Sequence, residues 1–291
     1  MAKRYNIIAT KVAQFNGHKD AIYDFVIDKK RNMVYTAGAD GYVVEWDILN
    51  SENGSLVLQC PEALYAIDYA DDKLFVGSRS GTQYVVNLKS KKLEESFKLH
   101  NGGVFFNNEI WSGGEDGILT ITEGKTKRKI GVSDKSLRCI LENADSFYVG
   151  CSDNTIYEIN KRDNVVSNRL IGHSNTVFAL ELVNGNMMLS AGRDGKIIAW
   201  DLTINRPVHN VSAHLYQIKS LSYNNQFLIS SSMDKTIKVW TEDLDLQKVI
   251  DFEGNKGHTN CINKVEWLDE NMFVSCSDDR SLILWQVKIN S

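Results

Sequence analysis

Proline is nearly absent from this chain of 291 residues: there are two, Pro61 and Pro207. Glycine, aspartate and asparagine must therefore build the turns, because they tolerate the backbone angles that turns require. Cysteine is sparse as well. The five are Cys60, Cys139, Cys151, Cys261 and Cys276, and no two of them stand as C-x-x-C. Lys11 interrupts the apolar stretch near the start too early for a secretion signal, so the thiols read as reduced, neither disulfides nor zinc ligands, and the expected location is the cytoplasm. No run approaches the ~18 apolar residues that a membrane helix needs. Positive charge is not in excess: 33 Lys and Arg against 37 Asp and Glu leave a net charge of -4, which argues against a general nucleic-acid binder. Long segments with helical spacing are missing too.

What is present is a repeat. Seven segments share a pattern of small residues, an acidic or polar turn and an alternating strand, as in Thr36-Ala37-Gly38-Ala39-Asp40-Gly41 and Ser190-Ala191-Gly192-Arg193-Asp194-Gly195. The turn positions are 40, 80, 116, 153, 194, 234 and 279, at intervals of 40, 36, 37, 41, 40 and 45 residues. Such regularity decides the fold before any single element does. Ile197-Ile198-Ala199-Trp200, Ile237-Lys238-Val239-Trp240 and Leu282-Ile283-Leu284-Trp285 are short and rich in β-formers, and Asp-Gly or Asp-Lys ahead of them suits a tight hairpin. Strands at regular spacing without helices predict an all-β architecture, with residues 1–291 forming one domain.

Gly17-His18, Gly172-His173 and Gly257-His258, with Trp46-Asp47 and Trp200-Asp201, resemble the Gly-His and Trp-Asp signatures of WD40 repeats. The resemblance covers nearly the whole chain and implies a seven-bladed WD40 β-propeller. The repeats ending at Trp46, Trp200, Trp240 and Trp285 are strong. The other three have Val86, Thr122 and Ile159 at the tryptophan position, and the second has Ser80 at the aspartate position. His100 stands only 16 residues before Asp116, against 20 to 22 in the strong repeats. That leaves little room for an innermost strand in the third repeat, and six blades remain an alternative. The last repeat runs out after its third strand, so the resemblance implies that Asn6 to Phe15 supplies the missing strand beside Leu282 to Val287.

His173, Ser190, Asp194 and Trp200 recur as His18, Thr36, Asp40, Trp46, as His214, Ser230, Asp234, Trp240 and as His258, Ser275, Asp279, Trp285. Ser, His and Asp invite a hydrolase reading. Four copies in one chain favour a buried hydrogen-bond chain of the WD40 type instead, and no catalytic residue, metal or cofactor is expected. The weak repeats are expected to lack this chain and to be held by apolar packing through Phe75 and Val76, Ile110 and Trp111, Phe147 and Tyr148.

The resemblance implies a binding face around a central channel, reached by two positions per blade. One precedes the turn residue: Ala39, Arg79, Glu115, Ser152, Arg193, Met233 and Asp278. The other lies five after the histidine: Tyr23, Phe178, Lys219 and Asn263, with Tyr65 and Arg138 added by aligning the weak repeats; none is assigned to the third. The candidate partner-binding residues are Tyr23, Tyr65, Arg79, Arg138, Phe178, Arg193, Lys219 and Met233. Tyrosine and arginine are common interface anchors, and four cations against Glu115 and Asp278 make the face basic. The expected function is a non-catalytic scaffold for a protein or peptide partner, acidic or phosphorylated beside an apolar residue, with a monomer favoured. The competing account is that the arginines stack on neighbours or pair with Glu115 and Asp278. A propeller enzyme, or a binder of nucleic acid or a small ligand using the channel, is the alternative function. Lys125-Thr126-Lys127-Arg128-Lys129 reads as the solvated outer strand of the third blade, and Lys89-Ser90-Lys91-Lys92 as an exposed turn. His100 and His209 read as isolated.

Overall fold

The computed structural model describes residues 4–50, 54–124 and 126–290, with only the backbone of Asn290. Its strands form seven antiparallel sheets of four strands each, a seven-bladed β-propeller. Blades 1 to 6 span 22–59, 64–98, 104–131, 137–171, 177–212 and 218–250, and blade 7 joins 262–290 to 6–16. The strand Asn6–Asn16 pairs with Ser281–Asn290 from Asn6↔Asn290 to Asn16↔Ser281, slipping once between Lys11 and Ala13. The closure expected from the sequence is thus present, and it is longer than Asn6 to Phe15 against Leu282 to Val287. A single-turn helix, Phe252–Asn255, lies between blades 6 and 7, capped by Asp251, and accounts for the 45-residue interval. Among the described residues no helix is long and apolar enough to cross a membrane.

Seven blades form, not six. The third blade keeps its innermost strand by shortening it to Val104–Asn107, and Asn108 then turns the chain at once by accepting from the N–H groups of Ile110 and Trp111. The basic run falls on the outer strand Thr126–Gly131, paired with Ile118–Glu123; Lys125 lies outside the described residues. Lys89 to Lys91 are exposed and turn the chain into the strand Lys92–Lys98, with Lys89 and Lys91 reaching Asp72 and Glu45.

The apolar side chains pack between blades. Six buried clusters each draw on two neighbours, as where Phe15, Leu282 and Leu284 of blade 7 meet Ile22, Phe25 and Trp46 of blade 1. At every turn, one position adopts left-handed backbone: Gly41, Gly81, Gly117, Asn154, Gly195, Lys235 and Arg280, with φ between 69° and 96°. Glycine is needed at Gly41 for a second reason, since a Cβ there would lie 2.3 Å from the Cys60 carbonyl.

The turn aspartates organise the top loops. In blade 5, Asp194 stands 2.9 Å from His173 Nδ1 and accepts from the backbone N–H groups of Ser174 and Lys196. Ser190 Oγ is 2.7 Å from His173 Nε2 and 2.7 Å from Trp200 Nε1. A carboxylate only accepts and an indole N–H only donates, so with a neutral imidazole the order is fixed: Trp200 donates to Ser190, Ser190 to His173, and His173 to Asp194. The same chain runs through His18, His214 and His258. Burial lowers the pKa of His214 despite Asp234 beside it, which favours the neutral form.

The weak blades do not lack this network, contrary to expectation; they carry altered versions of it. His100 is not isolated: it bridges Asp116 at 2.9 Å and Ser112 at 2.8 Å, missing only the indole. In blade 2, Glu62 takes the place of the turn aspartate, accepting from Ser80 N, Ser80 Oγ and Tyr84 Oη. In blade 4, Asp153 accepts from Ser133 and from Tyr157 Oη at 2.7 Å. Tyr84 and Tyr157 occupy equivalent positions, four after the turn residue. Every blade thus sets a carboxylate at its turn to accept a backbone N–H, whichever side chain presents it. Of the apolar residues expected to hold these blades, Phe75, Val76, Phe147 and Tyr148 are buried, Trp111 is half-buried, and Ile110 is 49% exposed and outside the core.

Candidate functional site

Each innermost strand carries one bulge near its top end. The registers slip between Ile22 and Asp24, Leu64 and Ala66, Val104 and Phe106, Leu137 and Cys139, Val177 and Ala179, Ile218 and Ser220, and Ile262 and Lys264. The extra residues are Tyr23, Tyr65, Phe105, Arg138, Phe178, Lys219 and Asn263. A bulge re-aims a side chain, and all seven line the central cavity of about 1360 Å³. From Tyr23 to Lys219 they touch in sequence. Tyr23 meets Tyr65 edge-on at 5.4 Å, and Tyr65 stacks on Phe105 at 5.7 Å. The Arg138 guanidinium lies 3.8 Å from the Phe105 ring and 5.1 Å from Phe178. Lys219 Nζ is 4.8 Å from the Phe178 ring, and Asn263 ties the arc to blade 1 through Ile22 O. Burial lowers the pKa of both Arg138 and Lys219, the mark of cations taken partly out of water.

A second set of positions surrounds this ring. Ala39, Arg79, Glu115, Ser152, Arg193, Met233 and Asp278 each donate a backbone N–H to the residue two before the bulge of their own blade, at 2.8 to 3.0 Å. Seven identical bonds fix these positions on the top face in strong and weak blades alike. Arg79, Glu115, Arg193 and Met233 are exposed. Glu115 accepts from Gly103 N, and Asp278 accepts from Asn263 Nδ2 at 2.7 Å. Among the described residues, the Arg79 and Arg193 guanidinium groups have no hydrogen-bond or ion-pair partner, and neither Arg138 nor Lys219 pairs with a carboxylate.

All eight sequence candidates therefore lie on one face. Tyr23, Tyr65, Arg138, Phe178 and Lys219 come together in the ring, whereas Arg79, Arg193 and Met233 sit on the rims of blades 2, 5 and 6. Stacking on neighbours describes Arg138 and not Arg79 or Arg193. Phe105 was missed, although it stands five residues after His100 as its counterparts do after their histidines.

Below the ring, side chains cap the open edge of the next blade. Asp24 accepts from Ile67 N at 2.8 Å, Glu181 from Tyr223 N at 3.0 Å, and Lys264 Nζ donates to Phe25 O and contacts Asp24. Burial pushes the carboxyl of Glu181 up to about 8 and that of Asp68 to about 6. Raised carboxyl pKa values in a cleft accompany acid–base sites, but Glu181 is committed to the neighbouring backbone.

The model of the WD domain, G-beta repeat, matches residues 9–47, 164–201, 205–241 and 249–286, just over half of the chain. The chain belongs to the WD40-repeat family. These four matches are the strong blades, and the structure supplies the other three. The WD40 β-propeller domain of Doa1 superposes with a TM-score of 0.85 at 18% identity, covering 96% of this chain and 97% of that one, a likeness of fold. The zinc finger CCCH domain-containing protein 17 of Oryza sativa subsp. japonica is 28% identical over 46% of this WD40 chain and 31% of its own length. The SIR4-interacting protein SIF2 of Saccharomyces cerevisiae is 28% identical over 38% of the chain and 21% of its own length. The chain thus spans under a third of those two relatives. An uncharacterized WD repeat-containing protein of Schizosaccharomyces pombe aligns over 82% of this chain and 72% of itself, at 22% identity.

Proposed function

We propose that this WD40 propeller is a non-catalytic interaction scaffold that receives an acidic or phosphorylated segment of a partner protein on its top face. The observation that carries the reading is the composition of the bulge ring and its rim: cations that have no carboxylate partner among the described residues, set beside the contiguous rings of Tyr23, Tyr65 and Phe105 and the ring of Phe178, on a chain of net charge -4. Arg79 and Arg193 meet the anionic groups, Arg138 and Lys219 supply positive potential at the channel mouth, and Tyr23, Tyr65, Phe105 and Phe178 offer flat apolar contact. Guanidinium forks suit carboxylate and phosphate, and exposed arginines without partners lose little by engaging them. A relative whose name records a protein interaction supports the same class of role.

The test is binding to peptide arrays carrying each sequence in neutral, acidic and phosphorylated form. The full chain is expected to retain the acidic or phosphorylated forms. Arg79→Glu with Arg193→Glu should weaken that binding at least tenfold, and added salt should weaken the wild type. Equal retention of neutral and anionic forms, or an unaffected double variant, would remove the arginines from the reading.

A further inference from the structure

The loop after the histidine carries no large aliphatic or aromatic side chain in six blades. The residue following the histidine, or the position equivalent to it, is Lys19, Pro61, Asn101, Asp134, Ser174 or Thr259. In blade 6 it is Leu215, followed by Tyr216. Leu215 is 89% exposed, Tyr216 61% and Met233, on the adjoining turn, 48%. Nothing in the fold requires them there. The loop is held through its backbone, with Leu215 N donating to Asp234, as Lys19, Asn101, Ser174 and Thr259 do to their own turn aspartates, and Ser232 Oγ donating to Tyr216 O. Met233 N donates to Gln217 O, and Gln217 Nε2 lies 3.4 Å from Met233 Sδ, so the loop and the turn form one surface.

That surface has a charged border. The loop rests against the blade 5 turn that carries Arg193: Ala213 and His214 donate to Gly195 O, and a Cβ on Gly195 would lie 2.6 Å from His214 O and 3.4 Å from Tyr216 O. Burial lowers the pKa of Lys219, the ring residue of blade 6, and the nearby positive charges of Arg138 and Arg193 lower it further. Lys235 stands exposed on the other side, one residue beyond Asp234. Asp234 itself is turned inward to His214, Leu215 N and Thr236. An apolar platform bordered by cations, with the carboxylates of Asp234 and Asp278 already engaged, the latter by Asn263, is complementary to a segment that places a large apolar side chain next to a negative one.

We infer that the blade 6 loop, Leu215, Tyr216 and Met233, is the anchor subsite for a large aliphatic or aromatic side chain of an extended partner peptide, and that Arg193 takes the carboxylate or phosphate beside it. This rests on the top-face reading above and gives it a polarity: the partner is held from blade 6 towards blade 5. A few apolar anchors carry most of the energy of such contacts, and the charges around them set register and rate.

Random peptides displayed on phage, selected on the full chain and then synthesised with a fluorophore, provide the probe. Four proteins are compared by fluorescence anisotropy: wild type, Leu215→Ser with Tyr216→Ser, Arg193→Glu, and Arg79→Glu. All the altered side chains are exposed, so unchanged melting serves as the folding control. The selected peptides should carry a large apolar residue within a few positions of an acidic one. The Leu215/Tyr216 double variant should lose at least tenfold in affinity at every salt concentration, and Arg193→Glu should lose a similar factor at low salt and less at high salt. Peptides whose binding depends on Arg79 or Arg193 but is indifferent to Leu215→Ser with Tyr216→Ser would overturn the anchor and leave the top-face reading standing. Selected peptides indifferent to every variant, or a selection that enriches nothing, would overturn both. A concentration-dependent dimer that Leu215→Ser converts to monomer would assign the patch to a second copy of this chain and also overturn the inference.

Discussion

At the scale of single residues, the strongest constraint is that each top loop needs a carboxylate. Asp194 accepts from His173 Nδ1, Ser174 N and Lys196 N at 2.9 to 3.2 Å. Removing it leaves donors with no partner in a mostly dry site, at roughly 1–3 kcal/mol for each one that water cannot reach. Asp194→Ala should therefore lower the urea midpoint clearly, and an unchanged midpoint would show that the network is ornamental. Glu181 gives a prediction with a sign. Its carboxyl ionises near 4.5 when exposed and at about 8 when folded, because burial opposes the charge and Glu266 adds to the effect. Between those pH values the native state holds a proton that the unfolded chain has released, so this contribution is whole below 4.5 and lost as pH rises through 8. Glu181→Gln keeps an oxygen for Tyr223 N and has no proton to lose. Thermal melts should coincide near pH 4.5 and separate by pH 8.5, where the variant should melt several degrees higher; parallel pH profiles would contradict the burial argument. The turn aspartates were readable in the sequence because their neighbours must be small or left-handed. Glu62 was not, because it reaches the turn, at Ser80, from the opposite loop, where spacing from the turn carries no signal.

Among elements, the seams between blades are unequal. Among the described residues, six of the seven hold one of the buried apolar clusters, and the seam between blades 2 and 3 does not. There Gly77 lies against Val104, so close that a Cβ would come within 2.7 Å of Val104 Cγ1, and Gln83 Nε2 donates across to Asn108 O at 2.9 Å. Asn107 is 4% exposed, and neither atom of its amide has a partner among the described residues. The residue two beyond the bulge is otherwise Phe25, Ile67, Ile140, Leu180, Leu221 or Val265, apolar in every case. A buried polar group without a partner costs about 1–3 kcal/mol. Asn107→Leu should thus stabilise the chain by a comparable amount, measured as a rise in the urea midpoint, and should slow amide exchange in Val104–Asn107 and Trp111–Gly114. A destabilised variant would mean that the amide does have a use. The weakness of the third blade was visible in its short spacing; its location at one particular seam was not, since contacts across blades leave no local pattern.

For the whole molecule, the question is what keeps a ring of nearest-neighbour contacts from opening. A linear array of blades would expose two end faces, and closure buries them against each other. Here the closing piece is Asn6–Asn16, which buries Ile7 and Ala9 against blade 6 and 7 residues such as Phe227 and Trp285, and Phe15 against Ile22 and Trp46 of blade 1. One segment thus completes two inter-blade cores as well as the hydrogen bonds of blade 7. The repeat made this legible, because a blade short of a strand at one end of the chain and an unassigned strand at the other have only one partner each. A chain lacking residues 1–16 should consequently lose stability as a unit. Its melting temperature should fall and its transition broaden, and protection should drop in blades 7, 6 and 1 before the distant blades 3 and 4. Adding a synthetic peptide of residues 4–16 should restore part of the loss, since its removal leaves the pairing edge of Ser281–Asn290 open. Melting identical to that of the full chain would mean that six complete blades and a three-stranded seventh suffice, and that the ring is held by its seams alone.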